Sequence, residues 1–417
     1  MTLLLSNEEI DSILDVSMVL DAVECSQRAM AALEAISSPR TDTLAPTVSG
    51  EGPATYGLKT MCGLWPEAGV AALRINSDVL VWPTVAGNVR RDRLATPGGR
   101  WNGLIILYSM TTAEPLMISP DGYISRLRVG ATNALAARYL AREDARVLAL
   151  LGTGWQAGGQ LMAHCAVRPI DEVRVFSPNA SNRERFCREI QPRVKARLVP
   201  TDSAESAVRS ADIIATATNS MEPVHQMSWL RPGVHYSAVK VQEMDQAFLE
   251  AVDHAFLFSK NPATTRPQFV TLPTVKTPES TTGWWQNREG ALWKRLGELP
   301  RLFTGEVKGR EGKDETTAFV NNVGQGLQFA AVAKRVYEEA KARGVGRELP
   351  TEWQLAARRL DIRVVCRRIT VNLGHGRPID VVVNLAEDEF FPKPFQFFLR
   401  IRLTKLAGDE SELLRVH

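Results

Sequence analysis

Apolar positions recur at helical spacing from residue 6 to about residue 36, where Leu14, Met18, Val19 and Ala22 fall on one face and Ser6-Asn-Glu-Glu supplies a capped start. Between residues 37 and 69 that period is lost in a stretch rich in Ser, Pro, Thr and Gly. Alternation over residues 69–76 and apolar runs at 79–82 and 103–108 predict strands, and residues 115–122 read as a strand ending in a turn. Residues 125–141 return to a helical pattern with an Ala/Leu-rich second half.

From residue 141 to 250 strand-type and helix-type segments alternate with short links, which predicts parallel βαβ units with the ligand at the carboxyl ends of the strands. Residues 262–300, with Trp284, Trp285 and Trp293 among Pro, Thr and Ser, read as an irregular excursion over one face. A strand at 316–320 and a helix at 326–342 are expected to return to the first domain. The expected fold class is α/β, a Rossmann-type doubly wound parallel sheet inserted in a second α+β domain. Residues 1–130 plus 318–355 would bind substrate and dimerise, 131–317 would bind the dinucleotide, and 356–417 would be an atypical C-terminal tail.

A chain of 417 residues at 44% hydrophobic composition can bury more than one core, and a net charge of +3 gives no footprint for nucleic acid. Cys25, Cys62, Cys165, Cys187 and Cys366 show neither disulfide nor zinc spacing, so no metal is expected and reduced thiols of a cytoplasmic protein are the simplest reading. Neither a signal peptide nor a membrane-length apolar run is visible, so no membrane partner is expected.

Candidate chemistry starts at Gly152-Thr153-Gly154-Trp155-Gln156-Ala157, which follows the apolar segment 147–151 and opens a helix. Two glycines there permit a tight turn and close approach of backbone N–H groups to a pyrophosphate, and the small Ala157 permits close helix–strand packing. The second strand ends in Ser177-Pro-Asn179, followed by Asn182 and Arg183, with no carboxylate for the ribose hydroxyls; this favours NADP, with NAD also possible. Thr216, Ala217, Thr218, Asn219 and Ser220 form a further polar turn on the same edge. Arg128 falls at the junction of the two domains, where an interface ion pair and a substrate clamp are equally good readings. Arg90, Arg91, Arg93 and Arg100 read as a solvated loop.

Several stretches resemble the ornithine cyclodeaminase/mu-crystallin family: Arg128-Val-Gly-Ala-Thr-Asn-Ala-Leu, Leu-Leu-Gly-Thr-Gly-Trp-Gln-Ala, Ala211-Asp-Ile-Ile-Ala-Thr-Ala-Thr-Asn-Ser, Phe303-Thr-Gly-Glu-Val-Lys-Gly-Arg310 and Gly344-Val-Gly-Arg-Glu-Leu. The resemblance runs to about residue 353 and implies a homodimer of two-domain subunits that binds NAD(P). It implies that Arg128 and Arg40 hold a substrate carboxylate and that Lys59 binds substrate and serves catalysis. The family's aspartate after the strand at 234–239 has no secure counterpart, Lys240, Glu243 and Asp245 being the nearby charged residues. The expected activity is therefore hydride transfer on the C=N or C–N bond of a small imino or amino carboxylate. An ammonia lyase of cyclodeaminase type with an internally recycled cofactor and a non-catalytic, crystallin-like NADP-binding protein are the alternatives.

Overall fold

The N-terminal helical pattern folds as two helices, not one, in a computed structural model that describes residues 1–50, 52–85, 87–94, 101–261, 268–272, 274–275, 283–354, 364–371, 379–386, 400–402 and 413–415. Helix α1 (Asn7–Ile13) starts at a reciprocal capping box between Ser6 and Glu9, and α2 (Val16–Ala31) starts where the Asp15 carboxylate accepts from the N–H groups of Ser17 and Met18. Asp15 holds extended backbone to make that cap, which is why the helix breaks there.

The Ser/Pro/Thr/Gly-rich stretch is mostly long strands. Chain order gives β1 (Thr2–Leu4), β2 (Ile36–Ser37), β3 (Thr41–Ser49), β4 (Gly52–Trp65), β5 (Val70–Val81), β6 (Thr84–Val85), β7 (Asn88–Val89), β8 (Asp92–Leu94), β9 (Asn102–Ser109) and β10 (Pro115–Pro120). The segments expected as separate strands at 69–76 and 79–82 are one strand, β5, because the polar residues that interrupt its apolar pattern keep the two-residue alternation.

Helix α3 (Gly122–Leu140) then leads into β11 (Val147–Leu151), α4 (Trp155–Val167), β12 (Glu172–Phe176), α5 (Ala180–Ile190), β13 (Arg197–Pro200), α6 (Ala204–Val208), β14 (Ile213–Thr216), β15 (His235–Ala238), α7 (Gln246–Ala251) and β16 (His254–Leu257). After β17 (Gln268–Thr271) come β18 (Gly297–Glu298), β19 (Thr317–Val320), the long helix Gly326–Arg343 and β20 (Arg347–Leu349). Eight strands form a parallel sheet in the order β13-β12-β11-β14-β15-β19-β16-β18. Ten form the other sheet, in the order β17-β3-β4-β5-β9-β10-β1-β20 with β2 on β4 and β8 on β5.

Two expectations change. Strand β19 does not rejoin the first sheet; it lies between β15 and β16, and all four of its residues are buried, as a strand covered on both faces requires. The excursion instead contributes β17, which pairs with β3 at the edge of the ten-stranded sheet. Trp284 and Trp293 pack in the core on one face of the parallel sheet with Tyr236 and Phe248, and the Trp284 indole donates to the Met244 carbonyl at 3.0 Å. Residues 262–267 and 276–282 of the excursion lie outside the described residues.

The core of the first sheet is built by Ile105, Leu107, Leu135 and Phe329 from β9, α3 and the helix Gly326–Arg343. Helices α3 and α4 touch through glycine: a Cβ on Gly130 would lie 2.2 Å from the Gly159 carbonyl oxygen. That contact ties the first helix of the parallel sheet to the helix carrying Arg128.

Residues Met1–Thr351 form one compact unit and Glu352–His417 a second. Within the second, β21 (Val364–Val371) pairs antiparallel with β22 (Ile379–Ala386), and β23 (Arg400–Arg402) with β24 (Leu413–Arg415). Residues 387–399 lie outside the described residues. Among the described residues no helix is long and apolar enough to cross a membrane.

Candidate active site

The glycine turn forms a cradle. Gly152 has φ of 115° and donates its N–H to the Phe176 carbonyl at 2.8 Å; a Cβ there would lie 2.3 Å from the Ala217 carbonyl oxygen. Gly154 caps α4 without any side-chain hydrogen bond, and open space lies where its Cβ would be. Ala157 is fully buried behind them. Helix α4 thus starts at a turn with open space beside Gly154 and backbone packed close behind Gly152, which suits a dinucleotide pyrophosphate. Thr153 and Gln156 flank the turn half-buried.

Trp155 adds a feature that sequence reading missed. Its indole N–H donates to the Gly122 carbonyl at 3.1 Å, and the Arg126 guanidinium stacks on its ring at 4.2 Å. Burial pushes the Arg126 pKa down. The signal, an arginine two residues before Arg128, was available, but no spacing rule links it to Trp155.

At the end of β12, Asn179 caps α5 by accepting from the Asn182 N–H at 3.0 Å. Arg183 is not a surface ornament: it is buried, donates to the Ser177 carbonyl at 2.7 Å and pairs with Asp202 at 3.1 Å. An edge that lacks a carboxylate in sequence therefore receives one from beyond β13, and the Asp202 side chain is fully exposed.

The turn after β14 is organised from below by Glu243, which is fully buried. Its carboxylate accepts from the Thr216 hydroxyl at 3.0 Å, the Thr218 hydroxyl at 2.7 Å, the Thr218 N–H at 2.6 Å and the Val239 N–H at 3.2 Å. The hydroxyl protons of Thr216 and Thr218 are spent on this buried group, so neither hydroxyl is left to donate to a ligand. Asp245 caps α7 and lies 3.5 Å from His225, while Lys240 precedes the short turn that carries Glu243.

On the ten-stranded sheet, β5 turns Arg74, Asn76 and Asp78 to one face, all buried. Register sets Lys59 opposite both Asp42 and Asn76. Lys59 donates to Asp78 at 2.9 Å, Arg40 pairs with Asp42 at 2.7 Å, and Arg74 pairs with Asp121, the residue before α3. Burial, reinforced by the charge of Arg91, pushes the Lys59 ammonium down to about 8 against the pull of Asp78. Burial acts to raise Asp78, but Arg93 and Lys59 outweigh it and hold the carboxyl below its usual range.

Arg128 lies buried in α3, stacked on the Phe329 ring at 4.7 Å. It donates to the Gln328 side-chain oxygen at 3.2 Å, and the Gln328 amide is itself oriented by donating to Thr132 at 2.8 Å. No carboxylate pairs with Arg128 among the described residues, so the interface ion-pair reading does not hold. Burial and the neighbouring Arg74 push its pKa down to about 9. A guanidinium stays charged at neutral pH, so Arg128 remains a buried cation. One side-chain atom each on Asp42, Asn76, Asp78 and Arg128 is buried without a hydrogen-bond partner.

The arginine-rich stretch is not a solvated loop where it is described. The Arg91 N–H donates to the Asn219 carbonyl at 3.0 Å, the Met221 N–H to the Val89 carbonyl at 3.1 Å, and the Asn219 amide to Asp92. This strap crosses from the ten-stranded sheet to the turn after β14, because unpaired backbone groups on both sides satisfy each other. Arg100 lies outside the described residues.

The ornithine cyclodeaminase/mu-crystallin family model matches residues 85–344. A Δ1-pyrroline-2-carboxylate reductase from Bacillus cereus is 32% identical over 256 residues, which cover 60% of this chain and 74% of that protein. Among solved structures, Thermococcus litoralis Δ1-pyrroline-2-carboxylate reductase in complex with NADH and L-proline aligns with a TM-score of 0.67 at 23% identity, covering 84% of this chain and 100% of that one. An archaeal alanine dehydrogenase dimer with bound NAD aligns at 0.64 and 24%, covering 84% and 99%. At those identities the structural likeness establishes the fold.

Proposed function

The chain belongs to the ornithine cyclodeaminase/mu-crystallin family, and on that premise we propose that it is an NAD(P)-dependent oxidoreductase acting on the C=N bond of a small 2-imino carboxylate or the C–N bond of the matching amino acid. The observation that carries this reading is Arg128 of α3, a buried cation without a carboxylate partner among the described residues, which feels the charges of Arg74 and Arg40 at the sheet that also holds a buried lysine, Lys59, with a pKa of about 8. Arg128 grips the substrate carboxylate through its planar fork, with Arg40 beside it. Lys59 donates a proton to the imine nitrogen as the neighbouring carbon is reduced.

The cofactor cradle is Gly152 to Ala157, with Ser177, Asn179, Ala217 and Asn219 along the same edge. Bound nicotinamide supplies or takes the hydride. We assign the parallel sheet to the cofactor and the ten-stranded sheet to substrate and dimerisation. The reading keeps NADP ahead of NAD because β12 runs into Ser177-Pro-Asn179 without a carboxylate of its own. It also makes the protein a cytoplasmic homodimer.

The test is a screen of cyclic imines and of 2-oxo acids with ammonia against NADPH and NADH, followed by absorbance at about 340 nm, the nicotinamide band. The expected result is stoichiometric loss of reduced cofactor with product. Release of ammonia from a diamino acid with no net change in absorbance would instead establish the lyase.

A further inference from the structure

We infer that Arg93 reads a second acidic group, so that the favoured substrate is an imino acid with a carboxylate on its side chain. This inference rests on the imine-reductase reading above.

Residues directly opposite in an antiparallel pair share a face, and the register therefore lays out the inner face of the sheet in rows. Met61 and Arg74 share one row, Asp42, Lys59 and Asn76 the next, Leu44, Gly57 and Asp78 a third, and Thr55, Leu80 and Arg93 a fourth. Successive rows lie about 7 Å apart along the strands.

Charge is distributed unevenly over those rows. At one end Arg40, Arg74 and Arg128 meet two carboxylates, Asp42 and Asp121, which pair with the first two and leave Arg128 for the substrate's own carboxylate. At the other end Lys59 and Arg93 both act on one carboxylate, Asp78. Asp78 Oδ2 already accepts from Lys59 at 2.9 Å, and the Arg93 Nε lies 3.7 Å from the same oxygen, beyond hydrogen-bond reach. Asp92 does not relieve this end: it sits opposite Val81, on the other face, and accepts from Asn219.

The Arg93 side chain is 44% exposed, so it is accessible to a ligand without unfolding the strap. An apolar substrate side chain brings no charge to meet Arg93 and Lys59, and an ω-ammonium is repelled by them. A second carboxylate matches Arg93 with a charge-assisted hydrogen bond.

The experiment compares kcat/KM for pyruvate and 2-oxobutyrate with that for oxaloacetate and 2-oxoglutarate, each with ammonia and reduced cofactor, in the full-length protein and in Arg93→Gln and Arg93→Lys. Wild type is expected to prefer the dicarboxylates. Arg93→Gln should lower the dicarboxylate-to-monocarboxylate ratio on the order of 10- to 100-fold, with partial recovery in Arg93→Lys. An unchanged ratio overturns the proposal, as does a rise in KM for the cofactor at constant ratio, which would assign Arg93 to a cofactor phosphate. Monocarboxylate turnover persists in both of those cases. Absence of cofactor oxidation with either class would instead sink the imine-reductase reading, and this proposal with it.

Discussion

Burying the Lys59 ammonium strips most of its hydration, and the Asp78 pair returns part of that loss, so the proton leaves at about 8 rather than above 10. A proton donor must hold its proton to work. For a lysine with a lowered pKa that requirement fails earlier as pH rises, and kcat/KM for imine reduction should be flat below about pH 8 and fall about tenfold per unit above it. Initial rates from pH 6 to 10 check this, and a profile flat to pH 10 would remove Lys59 as donor. Lys59→Met should lower turnover by about 10²- to 10⁴-fold while cofactor binding, followed by protein fluorescence, is retained.

Two glycines in one turn are held by different constraints at the level of the element. Gly152 needs positive φ and abuts the Ala217 carbonyl, whereas Gly154 needs neither, its Cβ direction being open. Gly152→Ala should therefore lower the melting temperature by several degrees, from strain of about 1–2 kcal/mol plus the clash, and weaken cofactor binding at least about tenfold. Gly154→Ala should leave the melting temperature nearly unchanged and act on cofactor affinity, by crowding the open volume. Equal melting shifts in the two variants would contradict the cradle geometry. Glu243 belongs to the same scale: one buried carboxylate joins the ends of β14 and β15 by accepting from Thr216, Thr218 and Val239.

The ten-stranded sheet turns one face to the site and leaves the other with Tyr56, Leu58, Leu104 and Val270 exposed at 37% to 58%. Register puts these four on the same face. Exposed apolar side chains gathered on one face of a sheet are the kind of surface that associates. Leu58→Lys should convert the proposed homodimer to monomer by sedimentation velocity at micromolar concentration; a variant that sediments like wild type would place the interface elsewhere.

Legibility differed between the two sheets. The parallel one was readable because its strands are short apolar runs between helices and its glycine turn is local in sequence; β11, α4 and β12 stand where periodicity put them. The ten-stranded one was readable only in β5, β9 and β10, because β3 and β4 face a polar site on one side and an exposed surface on the other, which erases hydrophobic contrast. Arg74, Asn76 and Asp78 did leave a trace, polar residues at every second position of an apolar strand, but alternation does not say which face is buried. The sequence by itself determined the dinucleotide-type turn, the alternation of strands and helices around it, and the cations at 40, 59 and 128. The tertiary structure alone decided which of those cations has a carboxylate partner, that Asp202 pairs with Arg183 and Glu243 with the turn after β14, and that the charges of the Arg91–Arg93 strap act on Lys59. Pairing of charges depends on distances across strands far apart in the chain, and spacing along the chain carries no record of them.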